Sequence, residues 1–238
     1  LDTHLYTYLL HLGDNALILG HRNSEWCGHA PILEQDIALT NISLDLIGQA
    51  RLFYQYAAES TGATEDRLAY LRDVFEFRNC LLVEQPNGDW AHTILRQFFF
   101  SAYQMELYQS LQHHRDEHLQ AIAAKSLKEV RYHLRWSGEW VVRLGDGTKE
   151  SRARMGLALE DLWMYTGEFF KPATYEPALA LEEPWRFQVH AVFKEAGLEI
   201  PSAPAFQSGG KMGIHSEHLG YVLADLQFLQ RAYPGSSW

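Results

Sequence analysis

Ser43-Leu44-Asp45-Leu46-Ile47-Gly48-Gln49 and Lys128-Glu129-Val130-Arg131-Tyr132-His133 are the two stretches on which the fold turns. Each lies in a long run whose apolar residues recur at spacings of three and four, the pattern of a helix with one buried face. In helical bundles that hold two metal ions, two helices each carry Glu-x-x-His, because positions i and i+3 aim both ligands into one core. Here the first motif reads Leu46-x-x-Gln49 and the second Val130-x-x-His133. The frame is kept, but only His133 still offers the expected ligand. An all-α protein follows, built on a four-helix bundle whose metal site has decayed.

Outward from these stretches the chain divides into helices. Residues 3–21 form the first, with Tyr6, Leu10, Gly13, Leu17 and Gly20 on one face. Asn23 to Pro31 interrupts it, and Pro31 suits the first turn of a second helix reaching Glu59. That helix carries a seam of Leu39, Ile42, Leu46, Gln49, Phe53 and Tyr56, in which Gln49 is the one strongly polar member. Thr64 caps a short helix to about Arg78, and Asp89 caps a third long helix to His114, with Ile94, Phe98, Ser101, Met105 and Tyr108 inward. The fourth runs over 116–144 and turns Ile122, Ser126, Val130, His133, Ser137 and Trp140 inward. Thr148 opens a fifth helix to Phe170, a short helix covers 185–196, residues 197–215 are loop, and Ser216 opens a last helix through Arg231. The tail runs from Pro234 to Trp238. One domain over 1–238 is expected, with the core bundle at 3–145 and accessory C-terminal helices at 148–232.

Composition excludes several classes. At 47% hydrophobic and 21% charged the chain has enough apolar mass for a large core. A net charge of -10 argues against a nucleic-acid or anionic-membrane surface. No apolar run approaches the roughly 20 residues of a membrane span, and the opening residues carry no signal-peptide pattern. Cys27 and Cys80 form no C-x-x-C pair, so a reduced, cytoplasmic protein is expected.

Two irons need about four carboxylates and two imidazoles. The six positions of the lost site are Leu17, Leu46, Gln49, Ser101, Val130 and His133, and they supply one imidazole, one amide and one hydroxyl. His133 reads as a buried, hydrogen-bonded core residue with Gln49 or Ser101 as its partner. No catalytic, cofactor-binding or metal-binding residue is therefore assigned. Weaker features are the His113-His114 and His118 turn, the pair His215-x-x-His218, and Ser208-Gly209-Gly210-Lys211, which has phosphate-binding residues without the strand-loop-helix frame they need. A metalloprotein with shifted ligands at Asp14, Asp45, Glu129 and His133 is one alternative, although Asp45 and Glu129 sit about 100° around their helices from the ligand positions. A stand-alone helical binding protein with a small apolar ligand in the old cavity is another.

Leu12-Gly13-Asp14-Asn15, Glu25 to Pro31, Leu44 to Arg51, Leu81 to Gly88, Lys128 to Arg135, and Gly209-Gly210-Lys211 with His215-x-Glu217-His218-Leu219-Gly220 together resemble the C subunit of bacterial phenylacetyl-CoA epoxidases. The resemblance spans nearly the whole chain. It implies a ferritin-like fold and a structural, non-catalytic subunit without a cofactor of its own. Its partner would be a homologous A subunit that holds the di-iron centre and the CoA thioester, with the A–C heterodimers pairing further. A small bridging subunit and a reductase complete such systems, which epoxidise the aromatic ring with O2 and electrons from NADPH. Some relatives keep an Asp where this chain has Ser101, so the resemblance makes a working metal site here still less expected.

Overall fold

The computed structural model describes residues 1–236; Ser237 and Trp238, the end of the expected tail, lie outside the described residues. Among the described residues all regular structure is helical: α1 (Thr3–Ser24), α2 (Leu33–Ala58), α3 (Glu65–Tyr70), α4 (Leu81–Glu84), α5 (Trp90–Leu111), α6 (Glu117–Gly145), α7 (Lys149–Trp163), α8 (Glu182–Ala196) and α9 (Glu217–Ala232). The fold is all-α and ferritin-like in class, with its long helices arranged as hairpins.

The chain forms two compact units. The first comprises Leu1–Pro86, Pro172–Glu176 and the chain from Ser208 onward; the second comprises Asn87–Lys171 and Pro177–Gln207. The C-terminal helices are thus shared out, α9 to the first unit and α7 and α8 to the second, where the sequence suggested one accessory set over 148–232.

The first unit is organised by the α1–α2 hairpin. Gly13 lies against the Tyr54 ring, and Gly20 against Ile47, Leu46 and the Ser43 carbonyl, so the two helices run antiparallel. A Cβ at residue 13 would stand 2.6 Å from a ring carbon of Tyr54. Glycine at the helical stripe therefore sets how closely the axes approach. The second unit is organised by α5–α6, joined by the short turn at 112–116, where His114 Nδ1 accepts the Asp116 N–H at 3.1 Å. Its core is aromatic: Phe98, Phe99, Phe100, Tyr103, Trp163, Phe169 and Trp185 are buried, and Trp185 Nε1 donates to the Phe99 carbonyl at 3.0 Å.

Three expected N-caps, Thr64, Asp89 and Thr148, are in place, and Asp116 adds a fourth that the sequence reading did not name. Thr64, Asp89, Asp116 and Thr148 accept the N–H groups of Arg67, His92, Leu119 and Ser151 at 3.2, 3.1, 2.8 and 3.1 Å. Several boundaries differ. Helix α2 starts at Leu33, not Pro31; Asp36 in its first turn instead accepts the Gly28 and Ala30 N–H groups and holds the preceding loop. The short helix ends at Tyr70 rather than Arg78, because Arg72 and the Arg78 N–H are drawn onto a buried carboxylate of α1. Only a 3-10 turn at Val74–Glu76 remains of the expected continuation. The single turn α4 was not anticipated, being too short to show a period. Helix α7 stops at Trp163 and gives way to a 3-10 turn at Thr166–Phe170, where Gly167 lies so close to Ala205 that a Cβ would collide with its carbonyl oxygen.

Gly13→Val should destabilise the protein by about 1–3 kcal/mol, since the added side chain must push α2 off α1. Urea unfolding is the check: a lower midpoint at unchanged slope is expected.

Candidate functional site: a buried charge network

The first unit buries charged groups from five segments of chain. Asp14 of α1 is fully buried. Its Oδ1 accepts the Tyr54 hydroxyl at 2.6 Å and a short bond from Arg72 Nη2; its Oδ2 accepts Arg72 Nη1 at 3.1 Å and the Arg78 N–H at 2.7 Å. Arg72 also donates from Nε to the Leu68 carbonyl at 2.5 Å and stacks over Phe77, 4.2 Å from the ring centre. Burial opposes the charge on Arg72, but the Asp14 carboxylate outweighs it and raises the guanidinium's pKa. Burial, and then the same carboxylate, push the Tyr54 phenol well above its ordinary value, so Tyr54 stays a donor. Gln227 and Arg231 of α9 bond the Arg72 carbonyl at 3.0 and 2.9 Å, which ties the C-terminal helix to this centre.

A second pair joins Glu176 to Lys211, with Nζ 3.0 and 2.9 Å from the two carboxylate oxygens and both side chains buried. Glu176 also accepts the Ala173 N–H at 2.7 Å, and the Tyr175 hydroxyl donates to the Lys211 carbonyl at 2.8 Å. The 208–211 segment was a candidate phosphate site; its lysine is instead spent on Glu176. Gly210 has a packing role, for a Cβ there would collide with the Asn79 carbonyl oxygen. His11 lies beside this pair. Its Nδ1 donates to the Arg78 carbonyl at 2.7 Å, while Nε2 stands 3.5 Å from Glu176, too far for a hydrogen bond. Burial lowers its pKa, so His11 is the neutral Nδ1–H tautomer and Lys211 alone balances Glu176.

The third pair is Glu84 with His215. Glu84 is fully buried and accepts Asn79 Nδ2 and His215 Nδ1 at 2.8 Å and the Ser216 N–H at 2.7 Å. The other ring nitrogen of His215 lies 3.1 Å from the Phe77 carbonyl. Both nitrogens thus face acceptors, which only the doubly protonated ring satisfies. Burial works against that charge, but the hydrogen bond and charge of Glu84 prevail and the pKa is raised. His215 is an ion-pair partner rather than half of a metal site with His218. Ser216 begins α9 as expected, but its hydroxyl makes no cap bond; its N–H goes to Glu84.

All six carboxylate oxygens of Asp14, Glu84 and Glu176 accept at least one hydrogen bond from within the unit. The network holds segments 71–86, 172–176 and 208–216 on the α1–α2 hairpin, and what it does chemically is brace. Sequence reading placed Asp14, Lys211 and His215 among its candidates, each for another role, and did not single out Arg72, Glu84 or Glu176 as buried partners. The visible signal was a charge inside an apolar run, as at Leu81-Leu82-Val83-Glu84.

The positions of the expected lost metal site are all buried. Leu17, Leu46 and Gln49 lie on the first unit's hairpin; Ser101, Val130 and His133 lie on the second's. Gln97 Nε2 donates to Ser101 Oγ at 2.8 Å, and the His133 carbonyl accepts Ser137 Oγ at 2.7 Å. Of the shifted ligands, Asp14 is committed to Arg72, while Asp45 and Glu129 are half-buried. Among the described residues no three His, Cys, Asp or Glu side chains gather as a metal ion requires. Among the described residues neither cysteine is in a disulfide; Cys27 is exposed and Cys80 buried. Among the described residues no helix is long and apolar enough to cross a membrane.

A family model described as phenylacetic acid catabolic protein matches residues 1–238. The C subunit of the 1,2-phenylacetyl-CoA epoxidase of Escherichia coli (strain K12) is 49% identical over 245 aligned positions, covering 98% of this chain and 99% of that protein.

Asp14→Asn should cost about 3–5 kcal/mol by leaving Arg72 charged and buried without its counter-ion. A double-mutant cycle with Arg72→Met, read by urea unfolding, should show strong coupling between the two positions. For the histidines the signs are opposite. The raised pKa of His215 gives stability that is full below its unfolded value of 6.5 and is lost as pH rises through the folded value. The lowered pKa of His11 gives stability that is full above 6.5 and is lost as pH falls below it. Melting temperature against pH should therefore decline on both sides of about 6.5, and His215→Gln should flatten the alkaline limb alone.

Proposed function

The chain belongs to the phenylacetic acid catabolic protein family, and on that premise we propose that it is the structural, non-catalytic subunit of a multicomponent di-iron monooxygenase that epoxidises the ring of phenylacetyl-CoA. The observation carrying this reading is the end-to-end match, at 49% identity, to a protein named as the C subunit of a 1,2-phenylacetyl-CoA epoxidase. Its partner is a homologous A subunit that holds the di-iron centre, paired as a dimer of heterodimers, with a small bridging subunit and a reductase in the wider complex.

The residues of this chain support the non-catalytic role. Leu17, Leu46 and Val130 carry no donor atom, and Gln49, Ser101 and His133 fall short of what two irons need. Asp14, the carboxylate nearest that depth on α1, already satisfies Arg72, Tyr54 and the Arg78 N–H. Freeing it for a metal would leave a buried guanidinium unpaired, which disfavours the shifted-ligand alternative. A di-iron centre does not fit this donor set, and no reaction step is assigned to the chain.

After anaerobic loading with ferrous ion and removal of loose metal, iron per chain should be near zero, and the chain alone should not turn over phenylacetyl-CoA. Mixed with the A subunit it should co-elute on size exclusion and raise NADPH-dependent oxygen consumption in the reconstituted system. Stoichiometric iron, or turnover by the isolated chain, would overturn the reading.

A further inference from the structure

Helix α2 is apolar on two faces. Leu39, Ile42, Leu46 and Phe53 are buried, while Leu33, Ile37 and Leu44 stand 73%, 53% and 62% exposed. A surface helix ordinarily keeps one apolar stripe and turns charge to water on the other side. The exposed residues Ile37, Asn41, Leu44 and Gly48 follow one another at spacings of four, three and four, the seam of a left-handed coiled coil with a polar residue at one core position. No charged side chain stands on that seam; Asp45 is half-buried and lies about 100° around the helix from Leu44.

Gly48 has no use within the chain. A glycine inside a helix costs about 1 kcal/mol relative to alanine. Gly13 and Gly20 of α1 are explained by their close approach to α2, but a Cβ at residue 48 would meet nothing within 4 Å. The charges of the exposed face stand at the two ends of the seam and are opposite in sign. Glu34, in the first turn, makes no ion pair among the described residues. Arg51 reaches Glu65 only through Nε, at 3.4 Å, and among the described residues its two Nη groups bond nothing.

We propose that this face of α2 binds a second copy of the same chain, α2 against α2, antiparallel about a two-fold axis at the level of residues 42–43. One register then makes every match at once. Glu34 of each copy meets Arg51 of the other, Ile37 seats over Gly48, and Asn41 lies against Leu44 beside the axis. The protruding side chain thus falls on the position that has none. A parallel pairing would set Glu34 against Glu34, Arg51 against Arg51 and Gly48 against Gly48, which joins like charges and leaves a gap. A two-fold contact needs a patch complementary to itself, and that property selects a second copy as the occupant. The inference uses only this chain's own helix and stands apart from the subunit assignment.

The test is sedimentation velocity on the full chain, which should show a concentration-dependent dimer. Leu44→Glu, at an exposed position beside the axis, should leave the melting temperature unchanged and the chain monomeric. Glu34→Arg and Arg51→Glu should each weaken self-association roughly tenfold or more, because each sets like charges together at both ends of the contact. Mixing these two variants should restore association as a mixed dimer, since each end then joins opposite charges. A chain that stays monomeric, a dimer indifferent to Leu44→Glu, or a mixture that associates no better than its components would overturn the proposal. So would a monomer that binds the A subunit and loses it with Leu44→Glu, which would give this face to that protein.

Discussion

The Asp14–Arg72 pair is the constraint on which the first unit depends. Moving either ion out of water costs several kcal/mol, and the pair recovers that cost only if geometry is good and the remaining donors and acceptors are satisfied. Both conditions are met by bending the chain rather than by continuing a helix. The segment after Tyr70 leaves helical form so that Arg72 can turn inward, and the Arg78 N–H then completes the carboxylate's acceptors. Because α9 bonds the Arg72 carbonyl, the C-terminal helix is fixed by the same centre, far away in sequence. One buried carboxylate thus dictates where an early helix stops and where the last one lies.

The two further pairs repeat this logic with different chemistry. Lys211 is a compact cation with a flexible stem, which lets a tight glycine-rich loop reach Glu176 after Gly210 has come into contact with the Asn79 carbonyl. His215 bridges two acceptors at once and fixes the loop's exit into α9. Each pair ties the irregular 208–216 segment to another short stretch of chain. Where segments are long and amphipathic, as in α1–α2 and α5–α6, packing suffices; where they are short and irregular, the chain uses buried charge.

The sequence showed the long helices well because their periods extend over many turns, and it showed caps at Thr64, Asp89 and Thr148 because these are local devices. It hid the segment 71–86 because nothing local distinguishes buried Arg72 from its neighbours in sequence, exposed Arg67 and half-buried Arg78. Its partner lies 58 residues earlier. Reading the same stretch as a continued helix followed from propensity, and a tertiary ion pair overrode it. The candidate site was hidden for the same reason. Searching for ligands at i and i+3 directs attention to Leu46, Gln49, Val130 and His133, whereas the buried charges are dispersed over five segments with no common period. His215 was visible only as a possible metal ligand, and its carboxylate on α4 was legible only as a charge closing an apolar run.

The buried pairs also bear on the surface. Asp14 with Arg72, Glu176 with Lys211 and Glu84 with protonated His215 each sum to no net charge, so they leave the excess of acid over base to the rest of the molecule. With three acids and two of the chain's 20 Lys and Arg withdrawn into these pairs, the remaining Lys and Arg still face an acidic majority. On such a surface an exposed guanidinium ordinarily finds a carboxylate within reach, and several do. Arg135 and Arg143 of α6 instead lie over the rings of Tyr132 and Trp140. Surface ion pairs stabilise little, so leaving two arginines unpaired costs the fold almost nothing. Their position is therefore free of folding constraints in a way that Arg72's is not.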